Sequence, residues 1–251
     1  MKATARQILI RELLASQEFV DLESLCRQLE ASESSVRRDL SELEQQRVLK
    51  RVHGGALAIK PRDQLLDFSW QSTRNAAEKQ RIAKLAASVV EEGQTVILDG
   101  GSTTAAVAAE LANRSLNIIT NSLAIAEIFK NSRQIEVTLT GGYLYPRLEI
   151  MLGSLCETTL AGVAADLLIL GIGGVTEAGL ANNNTLLVGS ERKMIDVSRQ
   201  VMIVADHTKF GKSAMVHLAP LDVVDTVVSD TGLAAEYVQM LESRDVRILL
   251  A

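Results

Sequence analysis

Cysteine is scarce in this 251-residue chain, with two in all. Cys26 and Cys156 lie far apart, in stretches that read as helical, and make neither a CxxC pair nor a disulfide framework. The three histidines, His53, His207 and His217, match no HExxH or other zinc spacing, so no metal centre is expected. The opening stretch MKATARQILIRELLASQ breaks its apolar run with Arg11 and Glu12 and does not read as a signal peptide. No window reaches the roughly 18 apolar residues of a membrane span. GxxxxGK[ST] is absent, which excludes a P-loop. The run GIGGVTEAG, from Gly171, lacks the third glycine of a dinucleotide fingerprint and leads into polar Asn182–Asn184 instead of a helix. No repeat or low-complexity tract is present. These absences point to a cytoplasmic protein that uses no membrane, metal or cofactor.

Apolar residues make up 47% of the chain, enough for one large domain or for a small one plus a larger one. The net charge of −5 argues against a general nucleic-acid glue, but it is unevenly spread. Residues 1–60 carry ten Lys/Arg against nine Asp/Glu, whereas residues 61–251 carry sixteen against twenty-two. Within the first part, Gln45–Lys60 holds four basic residues and no acidic one, which makes it the place to look for a polyanion site.

The periodicity there predicts three short helices. Ile8, Leu9, Ile10, Leu13 and Leu14 suggest the first. Asp21 is a plausible cap for a second carrying Leu22, Leu25 and Leu29. Ser32 or Ser34 can cap a third, with Val36, Leu40 and Leu43 on its buried side. At about 100° per residue, Ser34, Arg38, Ser41 and Gln45 face the opposite way, with Arg37 on the flank. Val48–Val52 reads as a strand closed by Gly54-Gly55, with Lys50, Arg51 and His53 along it. Three helices and a basic hairpin make a winged helix-turn-helix, whose third helix enters the major groove while the wing meets phosphates. A plain solvated helix followed by a turn is the competing reading.

Leu57–Thr73, with Pro61 and the single tryptophan Trp70, shows no clear period and reads as a connector. Arg74–Gly93 reads as one long helix. From Thr95 onward, apolar β-rich runs alternate with helical ones: TVILD, LNIIT, IEVTLT, DLLILG, QVMIVAD, DTVVSD and VRILL. Such alternation predicts a mostly parallel sheet covered by helices. Several of these strands end in Gly, Asp, Thr or Asn, where open α/β sheets bind ligands. In DGGSTT, Asp99–Thr104, a strand feeds a glycine turn and a helix; backbone N–H groups with the hydroxyls of Ser102, Thr103 and Thr104 make a phosphate cradle. An ordinary capped βα turn fits the same spacing. Tyr143 and Tyr145 fit either a pocket wall or a sheet edge.

Arg6, Ile10 and Leu14 followed by SESSVRRDL (Ser32–Leu40) resemble the signature of the DeoR family of bacterial transcription regulators; Ser35 stands where relatives usually have Thr. The wing KRVHGGA is similar too, as are Arg74 and Lys79 in the following helix, and DGGSTT, ITNS, TGG, GIGGV and ADHTKFGK extend the likeness over nearly the whole chain. The resemblance implies domains over 1–57 (winged helix-turn-helix), 58–73 (linker) and 74–251 (effector-binding α/β domain, ribose-5-phosphate isomerase-like). It implies a repressor of a carbohydrate operon, a homo-oligomer (dimer or tetramer), released from double-stranded operator DNA by a phosphorylated sugar or related metabolite. Ser34, Ser35, Arg37, Arg38, Ser41, Lys50, Arg51 and His53 are then the DNA-binding residues. By position, Asp99, Gly101, Ser102, Thr103 and Thr104 hold the phosphate end, Asn121, Gly141, Gly142, Gly173 and Gly174 shape the pocket, and Lys209 supplies a charge. Family members often carry an acidic residue early in the helix of LLVGSERKM; Glu191 and Lys193 are the candidates here. The isomerases have a carboxylate-rich loop where this chain has GIGGV, so the likeness implies binding without catalysis. The competitors are a sugar-phosphate isomerase or deaminase using Glu177, Glu191, Asp206 and Lys209, and, more remotely, a nucleotide-binding redox sensor.

Overall fold

The computed structural model describes residues 3–16, 19–46, 48–58 and 67–251. The chain divides into two compact units, Met1–Arg74 and Asn75–Ala251.

The first unit has helices at Ala3–Ser16, Leu22–Gln28 and Glu33–Gln45, with strands β1 (Phe19–Asp21), β2 (Leu49–Val52) and β3 (Gly55–Ala58). Asp21 caps the second helix by accepting the Ser24 N–H at 2.7 Å. Ser32, in extended conformation, caps the third helix. Ile10, Leu14, Leu25, Leu29, Val36, Leu40 and Leu43 close one core, and Val20, Leu49 and Ala56 bring the sheet into it. The sheet runs β1-β3-β2, antiparallel throughout. Sequence periodicity does not show β1, because three residues with only Val20 buried are too few to display an alternation. The connector also holds more order than expected: Phe68–Thr73 is a helix capped by Asp67, and the Arg74 guanidinium lies 4.7 Å from the Trp70 ring centre. Residues 59–66, with Lys60 and Pro61, and Arg47 in the basic stretch, lie outside the described residues.

In the second unit, the seven expected runs form β4 (Thr95–Leu98), β5 (Leu116–Thr120), β6 (Ile135–Leu139), β9 (Ala165–Leu170), β12 (Ser198–Val204), β14 (Thr226–Ser229) and β15 (Arg247–Leu250). They pair in the order β15-β14-β12-β9-β4-β5-β6, every pair parallel. Val96, Ile97 and Leu98 are all fully buried, and so are Leu168, Ile169 and Leu170, so both faces of the central strands are covered. From β4 the chain winds outward to β5 and β6, then returns to β9 and continues the other way. The direction of winding therefore reverses between β4 and β9, and this is where an open α/β sheet leaves a crevice at its carboxyl edge.

Two smaller antiparallel pieces escape the sequence reading. β7 (Tyr143–Tyr145) pairs with β8 (Ile150–Leu152), and β10 (Gly174–Thr176), β11 (Gly179–Asn182) and β13 (Val216–Ala219) form a three-stranded sheet. GIGGV is thus a loop only as far as Gly173; Gly174 opens β10. A Cβ there would lie 2.1 Å from the Lys212 carbonyl oxygen, so this glycine answers to backbone packing. The expected helix 74–93 is shorter, Ala76–Ser88, because Asn75 adopts the left-handed conformation (φ 50°) and Val89 ends the ladder.

Candidate functional site

The helix Glu33–Gln45 presents Ser34 and Arg38 exposed and Ser41 partly so, on the side away from buried Val36, Leu40 and Leu43. Ser35 lies within 3.0 Å of the capping Ser32 hydroxyl. Arg37, also exposed, is held by Glu33 one turn back, at 2.6 Å. Lys50, Arg51 and His53 are exposed on the wing. Two links fix the wing against the helices: the Arg51 N–H donates to Glu44 Oε1 at 2.8 Å, and the Leu22 N–H donates to the Gly54 carbonyl at 2.8 Å. Asp39, which periodicity leaves unexplained, is buried, and its two oxygens accept from Arg6 Nε at 2.6 Å and Nη2 at 3.1 Å. This forked contact ties the first helix to the third.

At the carboxyl edge of the parallel sheet, β4 ends in Asp99-Gly100-Gly101 and the helix Ser102–Leu111 begins. Its capping residue Gly101 has no side chain to satisfy the first N–H groups, which stay open to a ligand at the positive end of the helix dipole. Gly101 is extended, and a Cβ would meet only Thr104 Oγ1 at 3.3 Å. The glycine that packing demands is its neighbour: a Cβ on Gly100 would lie 2.1 Å from Ile150 Cγ2. Thr104 turns inward and donates to the Gly101 carbonyl at 2.8 Å, and Thr103 is also buried.

Lys79 is a site residue that sequence spacing did not single out. It sits on the preceding helix, 94% buried, with Nζ donating to Ser102 Oγ at 2.9 Å. A buried cation beside an open helix start is a counter-charge for a bound anion. One turn earlier, the Asn75 side chain donates to Asp206 Oδ1 at 2.9 Å, so the same helix is tied to the end of β12. Burial alone would raise the Asp206 pKa, but the Thr208 and Asn75 hydrogen bonds and the Lys209 charge together hold it below the ordinary carboxyl value. His207 is anchored by Asp230, Nδ1 to Oδ1 at 2.8 Å.

Beside this cation-bearing side lies an acidic one. Asp99 is fully buried, which pushes its pKa up to about 7 against the pull of the Gly100 N–H. Glu191, buried on the helix Thr185–Asp196, is raised well above the ordinary range by burial and then by the charge of Asp99, despite the hydrogen bond from Asn182 at 2.5 Å. Asp99 therefore belongs electrostatically with Glu191, which makes it a poor partner for a phosphate. Asn121, after β5, is fully buried; its Oδ1 lies 3.4 Å from where a Gly100 Cβ would stand. Gly173 lies against Asn182, and Gly171 faces the Thr104 methyl, so the β9 loop borders the same place. Lys193 is directed elsewhere, pairing with Asp196 at 3.6 Å. Gly141 and Gly142 lead from β6 into the β7-β8 hairpin, where Gly142 packs on the Leu152 carbonyl. Tyr143 is exposed. Among the described residues, no group of three or more His, Cys, Asp or Glu side chains could hold a metal ion, and no helix is long and apolar enough to cross a membrane.

Residues 6–62 match the DeoR-like helix-turn-helix domain, and residues 74–231 match the DeoR C terminal sensor domain. The chain is 34% identical over 252 residues to the glycerol-3-phosphate regulon repressor of Escherichia coli, covering 100% of both. It is 30% identical to the transcriptional repressor GlcR of Bacillus subtilis, over 98% of this chain and 95% of that one. It is 35% identical to the transcriptional repressor AccR of Agrobacterium fabrum, over 90% and 89%. Among solved structures, ribose 5-phosphate isomerase A of Methanocaldococcus jannaschii is similar over 54% of this chain and 55% of its own, with a TM-score of 0.41 and 20% identity. With both domain models matched and full-length relatives above 30% identity, the chain belongs to the DeoR family of transcriptional regulators, a helix-turn-helix domain joined to a sensor domain.

Proposed function

We propose that this chain is a repressor that binds operator DNA as a homo-oligomer and releases it when a phosphorylated sugar or polyol binds the sensor domain. The helix Glu33–Gln45 reads base edges through Arg38 with Ser34 and Ser41, and Lys50, Arg51 and His53 contact the backbone. The phosphate seats on the N–H groups at the start of Ser102–Leu111, with the hydroxyls of Ser102 and Thr103 and the charge of Lys79. Lys209 adds positive potential from the end of β12. Bound effector favours the arrangement of the oligomer with lower DNA affinity, to the extent of its preference for that arrangement. The observation that carries this reading is the Lys79–Ser102 contact at an open helix start, placed where the sheet reverses its winding. A thermal-shift screen of phosphate esters, followed by DNA release with any hit, tests it.

The buried Asp99–Glu191 pair favours one second reading. A carboxyl raised to about 7 is suited to proton transfer, as an isomerase would require. Nuclear magnetic resonance of a stabilising ester incubated with the protein separates the two, since a regulator returns its effector unchanged.

A further inference from the structure

Asn75 is the first residue of the second unit, and its backbone lies in the left-handed region, with φ 50° and ψ 38°. Residues other than glycine rarely stay there unless their surroundings hold them. As the capping residue of the helix Ala76–Ser88, Asn75 makes no side-chain capping bond. Its amide is engaged elsewhere: Nδ2 donates to Asp206 Oδ1 at 2.9 Å and reaches Thr208 Oγ1 at 3.5 Å, 131 and 133 residues along the chain. The same Asp206 oxygen accepts the Thr208 N–H at 3.1 Å and the Thr208 hydroxyl. Against burial, which raises it, Thr208, Lys209 and Asn75 hold the Asp206 carboxyl below its ordinary range, so the accepting group is charged at neutral pH.

This clasp is wired to the start of the helix Ser102–Leu111. The Asn75 carbonyl accepts the Lys79 N–H at 2.9 Å, and Lys79 Nζ donates to Ser102 Oγ at 2.9 Å. Immediately before Asn75, Arg74 is the last residue of the first unit, and its guanidinium lies 4.7 Å from the ring centre of Trp70 in that unit. Two successive residues are thus fastened to different units, and the backbone rotations of Asn75 set the direction in which the chain enters the sensor domain. Held by the clasp, that backbone is left-handed; released, it relaxes to the right-handed or extended region that L-residues prefer. A ligand acts through such an element by binding its two states unequally, and the hydrogen bond from Lys79 to Asn75 supplies the link. We propose that Asn75 is the positioning residue that couples effector to operator: an ester seated at Ser102 and Lys79 shifts the Asn75–Asp206 clasp, and the clasp changes operator affinity. The inference rests on the sensing role proposed above and adds no contact to ester or DNA.

The test uses the full chain. Glycerol 3-phosphate, glucose 6-phosphate and glucitol 6-phosphate, then the wider set of phosphate esters, are screened by thermal shift, and the most stabilising is the probe. Asn75→Gly keeps the left-handed backbone without strain and removes the amide. This variant should bind the probe by calorimetry and operator DNA by anisotropy, each within about tenfold of wild type. In wild type, saturating probe should weaken operator binding by about 5- to 150-fold; in the variant that factor should fall to within about twofold of unity. By linkage, operator DNA should then cease to weaken probe binding. A residue that merely caps its helix would lower the melting temperature and leave the factor intact, which overturns the inference. A variant that loses probe or operator binding outright also overturns it, and leaves the sensing reading standing. Thr208→Val removes a hydroxyl from the Asp206 end of the clasp at nearly constant volume and should reduce the factor in the same direction. It decides the matter if Asn75→Gly does not fold, and an unchanged factor there overturns the inference. If no ester releases the wild-type chain from DNA, the sensing reading falls and the inference with it.

Discussion

Replacing Lys79 by methionine isolates the charge that the sensor domain places at its helix start. Methionine keeps an unbranched chain in a buried slot and removes the ammonium group, whose Nζ is 2.9 Å from Ser102 Oγ. A charge-assisted hydrogen bond to a phosphate is worth about 1.5–3 kcal/mol, or roughly 10- to 150-fold in Kd. The N–H groups at the start of Ser102–Leu111 and the dipole of that helix remain, so binding should weaken without vanishing. Titration calorimetry with the ester that raises the melting temperature most gives the affinity. Fluorescence anisotropy on operator DNA gives the release curve, which should move to higher ester concentration by the same factor. Operator affinity without effector should stay as in wild type, because Arg38 and Lys50 lie in the other unit. An effector Kd changed by less than about threefold would refute the placement of the phosphate at this helix.

Further outcomes follow from the same geometry. Arg38→Ala should cost about 1–3 kcal/mol of specific operator binding if its guanidinium meets a guanine edge, with little loss on random duplex. Lys50→Ala should weaken all duplexes alike and lower the slope of log affinity against log salt by about 0.9, both measured by anisotropy. Asp39→Ala should lower the melting temperature of the first unit and blur operator specificity, because Arg6 then loses its forked partner. Gly100→Ala should destabilise the sensor domain by about 1–3 kcal/mol through overpacking against Ile150, while Gly101→Ala should fold normally, as denaturant titration would show. The pH dependence has two limbs of opposite sign. Asp99 and Glu191 are raised, so their favourable contribution is complete in acid; that of Asp99 is lost as pH climbs through about 7 and that of Glu191 as pH climbs above the ordinary carboxyl range, whereas Asp206 and Asp230 are lowered, and theirs is lost as pH falls through the acid range. Asp99→Asn, with Glu191 the acidic group facing it, should flatten the neutral limb in melting curves and leave the acid limb unchanged.

The sequence shows the large sheet clearly because its central strands carry unbroken apolar stretches such as Val96–Leu98, Leu167–Leu170 and Val201–Val204. Parallel strands buried on both faces leave that signature. The β7-β8 hairpin and the β10-β11-β13 sheet are three or four residues per strand, too short for a period to emerge from them. Arg38 is legible as an outward residue from the spacing of Val36, Leu40 and Leu43. Asp39 is not, since its partner Arg6 is 33 residues away. Lys79 is marked in the sequence only by the family likeness, and its place in the site is not legible: a lysine on an amphipathic helix reads as solvated surface until the tertiary fold brings it to Ser102. The register around Glu191 resolves only when Asn182 and Asp99 are seen beside it, which also separates it from Lys193 on the other side of that helix turn.

The proposed function requires that one small phosphate ester both occupy the sensor domain and release DNA. It is tested most directly by anisotropy of the full chain on an operator selected from random duplexes, titrated with the ester that stabilises the protein against heat. Operator affinity should fall with a midpoint at the ester's calorimetric Kd, with the ester recovered unchanged and the unphosphorylated compound inert. An ester that binds and is converted to another compound, or that binds fully while operator affinity stays constant, would contradict it.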